Sequence, residues 1–90
     1  MSFALICLDR DGALELRKAN RDAHLAYVAE TGVVSIAGPF LDDDGGMNGS
    51  LLVLDVPDRA AAEAWAAGDP YAKAGLFESV TIRAWKKVKG

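Results

Sequence analysis

Apolar residues in this chain are grouped in short runs, separated by glycine, proline and aspartate, and the runs predict four β-strands. The predicted strands lie at residues 3–8, 33–37, 50–56 and 80–85. Gly38-Pro39 ends the second of these strands. The acidic, glycine-containing segment 42–46 is typical of a turn and leads towards the third.

Two longer segments have the composition of helices. The first is predicted from about Ala13 to Thr31, and Gly32 follows it as a C-terminal cap. The second is an alanine-rich segment over residues 60–67, with Asp58 as its N-cap. A proline directly after Asp69 stops this helix, so the carboxylate of Asp69 is expected at its end.

The order β-α-β-β-α-β predicts a ferredoxin-like α+β fold, in which two helices lie on one face of a four-stranded antiparallel sheet. The length suits a single domain spanning residues 1–90. The first strand is apolar on both faces, which carry Ala4, Ile6 and Leu8, and Phe3, Leu5 and Cys7. Because the helices cover only one face, we expect a homodimer in which the uncovered faces of two sheets pack together.

Composition narrows the function classes. The chain is 51% hydrophobic and carries a net charge of −3, which indicates a folded globular protein. Its only basic run, at residues 86–89, is too short to indicate a nucleic-acid-binding surface. The apolar run at the start is too short for an export signal or a membrane span, and Cys7 has no disulfide partner. The cytoplasm is therefore the expected compartment, with no membrane or nucleic-acid partner.

The chemistry of the first helix centres on His24, the only histidine in the chain. On a helical wheel His24 shares a stripe about 60° wide with Arg17 and Arg21. The stripe is interpreted either as a solvated edge or as a surface that binds anions and transfers protons. A separate face is apolar and is expected to pack on the sheet; it contains Leu16, Ala19, Ala23, Ala26 and Tyr27.

Asp69 is the carboxylate best placed to partner His24. An aspartate at a helix carboxyl end is unfavourable unless a cation compensates it, and His24 or an arginine would be that cation. We expect the first and third strands to be parallel in this topology, so the two helices that follow them should run roughly parallel as well. His24 and Asp69 would then each lie about 17 Å from the start of their helix. We therefore expect the two side chains within hydrogen-bond reach, in a cleft that contains an arginine.

Short segments of the chain occur in the order and spacing of the YciI-like, or YCII-related, family. They are Arg21-Asp22-Ala23-His24-Leu25, Ala37-Gly38-Pro39, Gly49-Ser50, Ala64-Trp65-Ala66, Asp69-Pro70-Tyr71 and Ala74-Gly75-Leu76-Phe77. The chain resembles this family over nearly its whole length. The resemblance implies a dimeric α+β barrel with an active site on His24 and Asp69, lined also by Ser50. Members with an assigned activity resemble dehydrochlorinases and lactone-processing enzymes of aromatic breakdown, in which a His–Asp pair moves protons.

The leading hypothesis is a small enzyme without a cofactor or a metal, a lyase or isomerase of a small anionic organic molecule. His24 would act as general base or acid, and Asp69 would orient it and stabilise its charged form. The predicted substrate-binding residues are Arg17, Arg21, Ser50 and Tyr71. Two alternatives remain open: a module that binds a metabolite without converting it, and a haem-binding barrel with His24 as axial ligand, which the arginines disfavour.

Overall fold

A computed structural model, which describes all of residues 1–90, has the predicted strands and helices in the predicted order, with one further four-residue helix before the last strand. The elements are β1 (Ser2–Asp9), α1 (Leu14–Thr31), β2 (Val34–Leu41), β3 (Met47–Asp55), α2 (Arg59–Gly68), α3 (Pro70–Lys73) and β4 (Phe77–Trp85). β2 continues through Gly38 and Pro39 instead of ending there. Because β2 is an edge strand that pairs only with β3, the missing N–H of Pro39 breaks no ladder on its outer side.

The four strands form one sheet in the order β2-β3-β1-β4, with every neighbouring pair antiparallel. This confirms the ferredoxin-like α+β fold. The expectation that β1 and β3 are parallel is wrong, since Phe3 pairs with Leu54 and Leu5 with Leu52 in an antiparallel register. A helical crossover returns a strand parallel to the one before it, and the β2–β3 hairpin then reverses the chain. The argument that placed His24 and Asp69 at equal heights therefore rested on a wrong premise.

The core lies between one face of the sheet and the helices. It consists of Phe3, Leu5, Cys7, Leu52, Leu54, Val56, Ala62 and Trp65. The last two lie three positions apart on α2, so they present one side of that helix to the sheet. Asp58 caps α2 as predicted, since its carboxylate accepts a hydrogen bond from the Ala61 amide at 2.8 Å.

Helix α1 turns its polar side to the sheet, contrary to prediction. Arg17 and His24 are buried, whereas Leu16 is 37% exposed. The expected apolar face is wrong at every position except Tyr27, since Ala19, Ala23 and Ala26 are exposed as well. Alanine side chains gain little from burial. The guanidinium of Arg17 and the Nδ1 atom of His24, by contrast, find hydrogen-bond partners inside the fold, which offsets the cost of removing them from water.

The second face of the sheet has no element over it. Strand alternation places apolar side chains there, including Leu8, Ile36 and Trp85, which are 44%, 46% and 40% exposed. The prediction that the first strand carries apolar side chains on both faces is confirmed, since Phe3, Leu5 and Cys7 face the core and Leu8 lies on the opposite face. The homodimer that this face suggests stays a prediction. None of the helices is both long and apolar enough to cross a membrane.

Candidate active site

Asp69 lies at the junction of α2 and α3, where it ends one helix and begins the next. Its Oδ1 accepts a hydrogen bond from the Tyr71 amide at 3.0 Å, and Pro70 occupies the first position of α3, where its missing N–H is harmless. The sequence placed this carboxylate at the unfavourable carboxyl end of a helix. Helix α3 supplies an amide donor, which relieves this unfavourable placement in addition to the cation that the sequence predicted.

His24 meets Asp69 directly. The distance from His24 Nδ1 to Asp69 Oδ1 is 2.7 Å, and the two residues are 6% and 1% exposed. Because a carboxylate only accepts, the Nδ1 atom carries the hydrogen of this bond. The other ring nitrogen, Nε2, has no partner in the protein, and no buried side-chain nitrogen or oxygen is left unpaired. Nε2 of His24 is therefore the ring atom that is accessible from the cleft.

The aromatic ring of Tyr71 fixes the plane of the imidazole. The two ring centroids are 4.1 Å apart with an interplanar angle of 15°, so the rings are stacked. The guanidinium carbon of Arg17 lies 4.9 Å from the same tyrosine ring. Burial raises the pKa of the Tyr71 phenol above its usual value, against the opposing influence of Arg17 and Arg21. The phenol is thus neutral at physiological pH.

Arg17 is held by two buried partners. Its Nη1 donates to both carboxylate oxygens of Asp9, at 3.1 and 2.9 Å, and its Nη2 donates to Ser50 Oγ at 2.7 Å. Sequence analysis did not single out Asp9. A signal was present, since Asp9 continues the alternation of Phe3, Leu5 and Cys7 and so faces the helices.

Arg21 differs from Arg17 in its surroundings. It is exposed, lines the cleft, and forms no salt bridge with any carboxylate of the chain. The two arginines that the sequence treated as equivalent are therefore distinct. Arg17 is buried and paired with Asp9, whereas Arg21 has an unpaired positive charge at the cleft.

These residues surround a cleft of about 240 Å³ between α1 and the β2–β3 end of the sheet. Its lining residues are Arg17, Arg21, His24, Leu25, Ala37, Gly38, Pro39, Met47, Ser50, Leu52 and Tyr71. One side is charged and the other apolar. The volume is below the roughly 300–1,000 Å³ of pockets for drug-sized ligands, so a molecule of one ring suits it better than a haem. No group of three or more His, Cys, Asp and Glu residues is arranged to hold a metal ion.

The structure brings all six predicted site residues to one place. Five of them line the cleft, and Asp69 lies behind His24. Cys7 is buried beneath the site, where burial raises its pKa to about 12, with a further rise from Asp69 and Asp9. It is a protonated core thiol and not a nucleophile.

The part of the chain that matches known proteins includes every residue of this site. The family described as the YCII-related domain matches residues 1–86. Protein YciI of Escherichia coli O6:H1 is 35% identical, with 98% of this chain and 99% of that protein covered. This family match and this relative confirm the resemblance that the sequence motifs indicated.

Two of the solved structures that are similar in fold differ in how closely their sequences match this chain. One is a 5-chloro-2-hydroxyhydroquinone dehydrochlorinase of Burkholderia phenoliruptrix AC1100, in complex with 2,5-dihydroxybenzoquinone. It has a TM-score of 0.87 and 34% identity, covering 96% of this chain and 94% of that one. The other is a protein of Mycobacterium tuberculosis, with a TM-score of 0.64 over 99% of this chain and 100% of that one. Its identity is 17%, so it shows the fold alone.

Proposed function

The chain belongs to the YCII-related family, and we propose that it is an acid–base enzyme of the lyase or isomerase type. It needs no cofactor and acts on a small anionic organic molecule. The observation that carries the proposal is the buried pair of His24 and Asp69, with Nε2 of the imidazole left accessible at the cleft. A buried histidine whose Nδ1 atom is held by a carboxylate, while Nε2 stays free, is an arrangement suited to general acid–base catalysis.

The pair works through the charge on the imidazole. When Nε2 takes a proton from the substrate, the ring becomes a cation, and the carboxylate 2.7 Å away stabilises it. The amide of Tyr71 holds the same carboxylate oxygen, and the ring of Tyr71 is stacked on the imidazole. Both contacts keep Nε2 aimed in one direction. Return of the proton from Nε2 to another substrate atom completes an isomerisation, and loss of a leaving group completes an elimination.

Substrate binding falls to Arg21 and Ser50. Arg21 supplies the unpaired positive charge for an anionic oxygen. Ser50 accepts a hydrogen bond from Arg17, and its own hydroxyl hydrogen has no acceptor in the protein. That hydrogen is available to a substrate oxygen as negative charge develops on it. The apolar side of the cleft, which includes Pro39 and Leu52, would pack against the uncharged part of the molecule.

Hydroxylated one-ring compounds are the first substrate class to examine. The dehydrochlorinase of similar structure is named for 5-chloro-2-hydroxyhydroquinone and was solved with a dihydroxybenzoquinone. Loss of HCl removes one proton and one chloride ion, which a base achieves without an oxidant or a reductant. The ring size also suits the cleft of about 240 Å³.

Anaerobic incubation with 5-chloro-2-hydroxyhydroquinone tests the proposal, with chloride release as the measure of turnover and calorimetry with 2,5-dihydroxybenzoquinone as the measure of binding. We expect turnover that the His24→Gln variant loses by about 10²–10⁴-fold while it still binds the quinone. Lys18→Gln, on the exposed side of the same helix, is the matched control. Turnover that survives His24→Gln would contradict the assignment. Binding without turnover across a panel of hydroxylated rings would favour the non-catalytic module.

We also propose that the chain is a homodimer in the cytoplasm. Support for the dimer comes from the uncovered sheet face, along which Leu8, Ile36 and Trp85 are all exposed. A second copy supplies a face of the same shape and the same apolar character, which suits a twofold interface. Each Å² of apolar surface that is removed from water contributes about 25 cal/mol.

A further inference from the structure

Two guanidinium groups line the cleft, but only one has an unpaired charge. Arg17 is 4% exposed, and its Nη1 contacts both oxygens of Asp9. Arg21 is exposed and has no carboxylate partner. A carboxylate at 2.9 Å cancels most of the field of Arg17 at the cleft, because the two opposite charges act from nearly the same point. Arg21 is therefore the only cation of the cleft that has no carboxylate partner.

Asp9 acts from behind the site. Its side chain is 4% exposed and lines a separate groove on the far side of Arg17, not the cleft of His24. It cannot touch a molecule that is bound beside Nε2. Whatever Asp9 does for binding, it does through Arg17, whose other contact is the hydroxyl of Ser50.

We propose that Asp9 is a specificity-determining residue that restricts the cleft to singly charged anions. By neutralising Arg17, it turns that arginine into a positioning group for Ser50 and leaves Arg21 as the single anchor for one anionic oxygen. This inference rests on the proposed function for the location of the site, but not for turnover. A second anionic group on a ligand would find no unpaired cation and would lie near the carboxylates of Asp9 and Asp69.

A purely structural role for Asp9 predicts something different. If Asp9 only kept Arg17 folded, its loss would weaken every ligand alike. If it sets the charge of the cleft, its loss adds an unpaired guanidinium and improves the binding of dianions relative to monoanions. Removing Asp9 and Arg17 together takes away one charge of each sign, so the original preference should return.

Benzoate and phthalate, which share one ring and carry one and two carboxylates, are the probes. Their dissociation constants are measured by NMR titration with the wild type, Asp9→Asn, Arg21→Gln and the double variant Asp9→Asn/Arg17→Gln. We expect Asp9→Asn to shift the affinity ratio towards phthalate by about tenfold, and the double variant to return it to within about threefold of the wild type. Arg21→Gln should weaken benzoate binding by about tenfold.

An unchanged ratio in Asp9→Asn would overturn the proposal, as would a wild type that binds no benzoate at tens of millimolar. Asp9→Asn leaves a buried arginine unpaired and risks failing to fold. The double variant buries no unpaired charge and decides the question alone in that case. A phthalate-to-benzoate affinity ratio within about threefold of the wild type supports the proposal, because a neutralised Arg17 contributes nothing to a second carboxylate, whereas a selective loss of phthalate binding of about tenfold overturns it. If the protein binds these carboxylates but turns over no substrate, the inference about Asp9 holds and the proposed enzymatic function is wrong.

Discussion

His24 and Asp69 are 45 positions apart in the chain, yet the distance from Nδ1 to Oδ1 is 2.7 Å and both side chains are buried. The contact joins a helix to the junction of two others. It leaves one imidazole nitrogen bound to the protein and one accessible from the cleft.

The tautomer of neutral His24 should be the one with hydrogen on Nδ1, because Asp69 accepts from that atom. Long-range ¹H–¹⁵N NMR of the single histidine measures it without overlap. Asp69→Ser keeps a side-chain oxygen that can cap α3 but is too short to hold the imidazole, so hydrogen should redistribute to Nε2. We expect the variant to lose about 1–3 kcal/mol of unfolding free energy. The same tautomer in both proteins would show that Asp69 does not orient the ring.

Arg21→Gln should raise KM for the proposed substrate by about tenfold and leave kcat within a few-fold of the wild type, since a binding group is lost while the proton-transfer pair stays intact. Lys18→Gln removes a charge from the same helix outside the cleft and should leave both constants unchanged. Steady-state kinetics at constant ionic strength separates the two. A drop in kcat with KM unchanged would assign Arg21 to the transition state and not to binding.

The oligomeric state should be a dimer that depends on the uncovered sheet face. Ile36, at 46% exposure on that face, is the position to change. Ile36→Lys should give a folded monomer, because a buried lysine at the interface would lose its hydration. Leu16→Lys, also at an exposed apolar position but on α1, should stay dimeric. Light scattering on a size-exclusion column at micromolar concentration gives the mass. A wild type that is monomeric there would contradict the dimer.

Stability should fall at alkaline pH, and Cys7 should account for part of the fall. The pKa of Cys7 rises from 9.0 to about 12 on folding, mainly through burial. Between these values the unfolded chain releases a proton that the folded chain retains, so stability falls by about 1.4 kcal/mol per pH unit. Below pH 9 the thiol keeps its proton in both the folded and the unfolded chain, so Cys7 no longer makes stability depend on pH.

Urea unfolding at pH 8, 9, 10 and 11 with a phosphine reductant measures this slope. Cys7→Ala should be less stable throughout, because a buried side chain becomes smaller, but its stability should fall less steeply with pH. Tyr27 and Tyr71, whose pKa values burial also raises, contribute equally to both proteins. Parallel curves for the two proteins would rule out the thiol as a source of the slope.

The amino-acid sequence determined the order of the main elements, the fold class and six residues of the candidate site, but not Asp9. Alternation in β1, the left-handed Gly32 after α1 and the carboxylate of Asp58 before α2 are local signals, and the structure has each of them where it was predicted. The sequence also indicated His24 and Asp69 as a pair, because a single histidine and an aspartate before a proline are conspicuous in so short a chain.

Tertiary structure alone decided which face of α1 is buried and which arginine is free. Periodicity favoured the alanine side of α1, since it measures hydrophobicity and takes no account of partners. The buried partners of Arg17 come from β1 and β3, eight and 33 positions away, and no spacing rule on one helix can include them. Burial of a charged group depends on whether its hydrogen bonds are all satisfied, which is a property of the assembled fold. Asp9 and Ser50 supply these partners to Arg17, whereas Arg21 lines the cleft without a carboxylate partner.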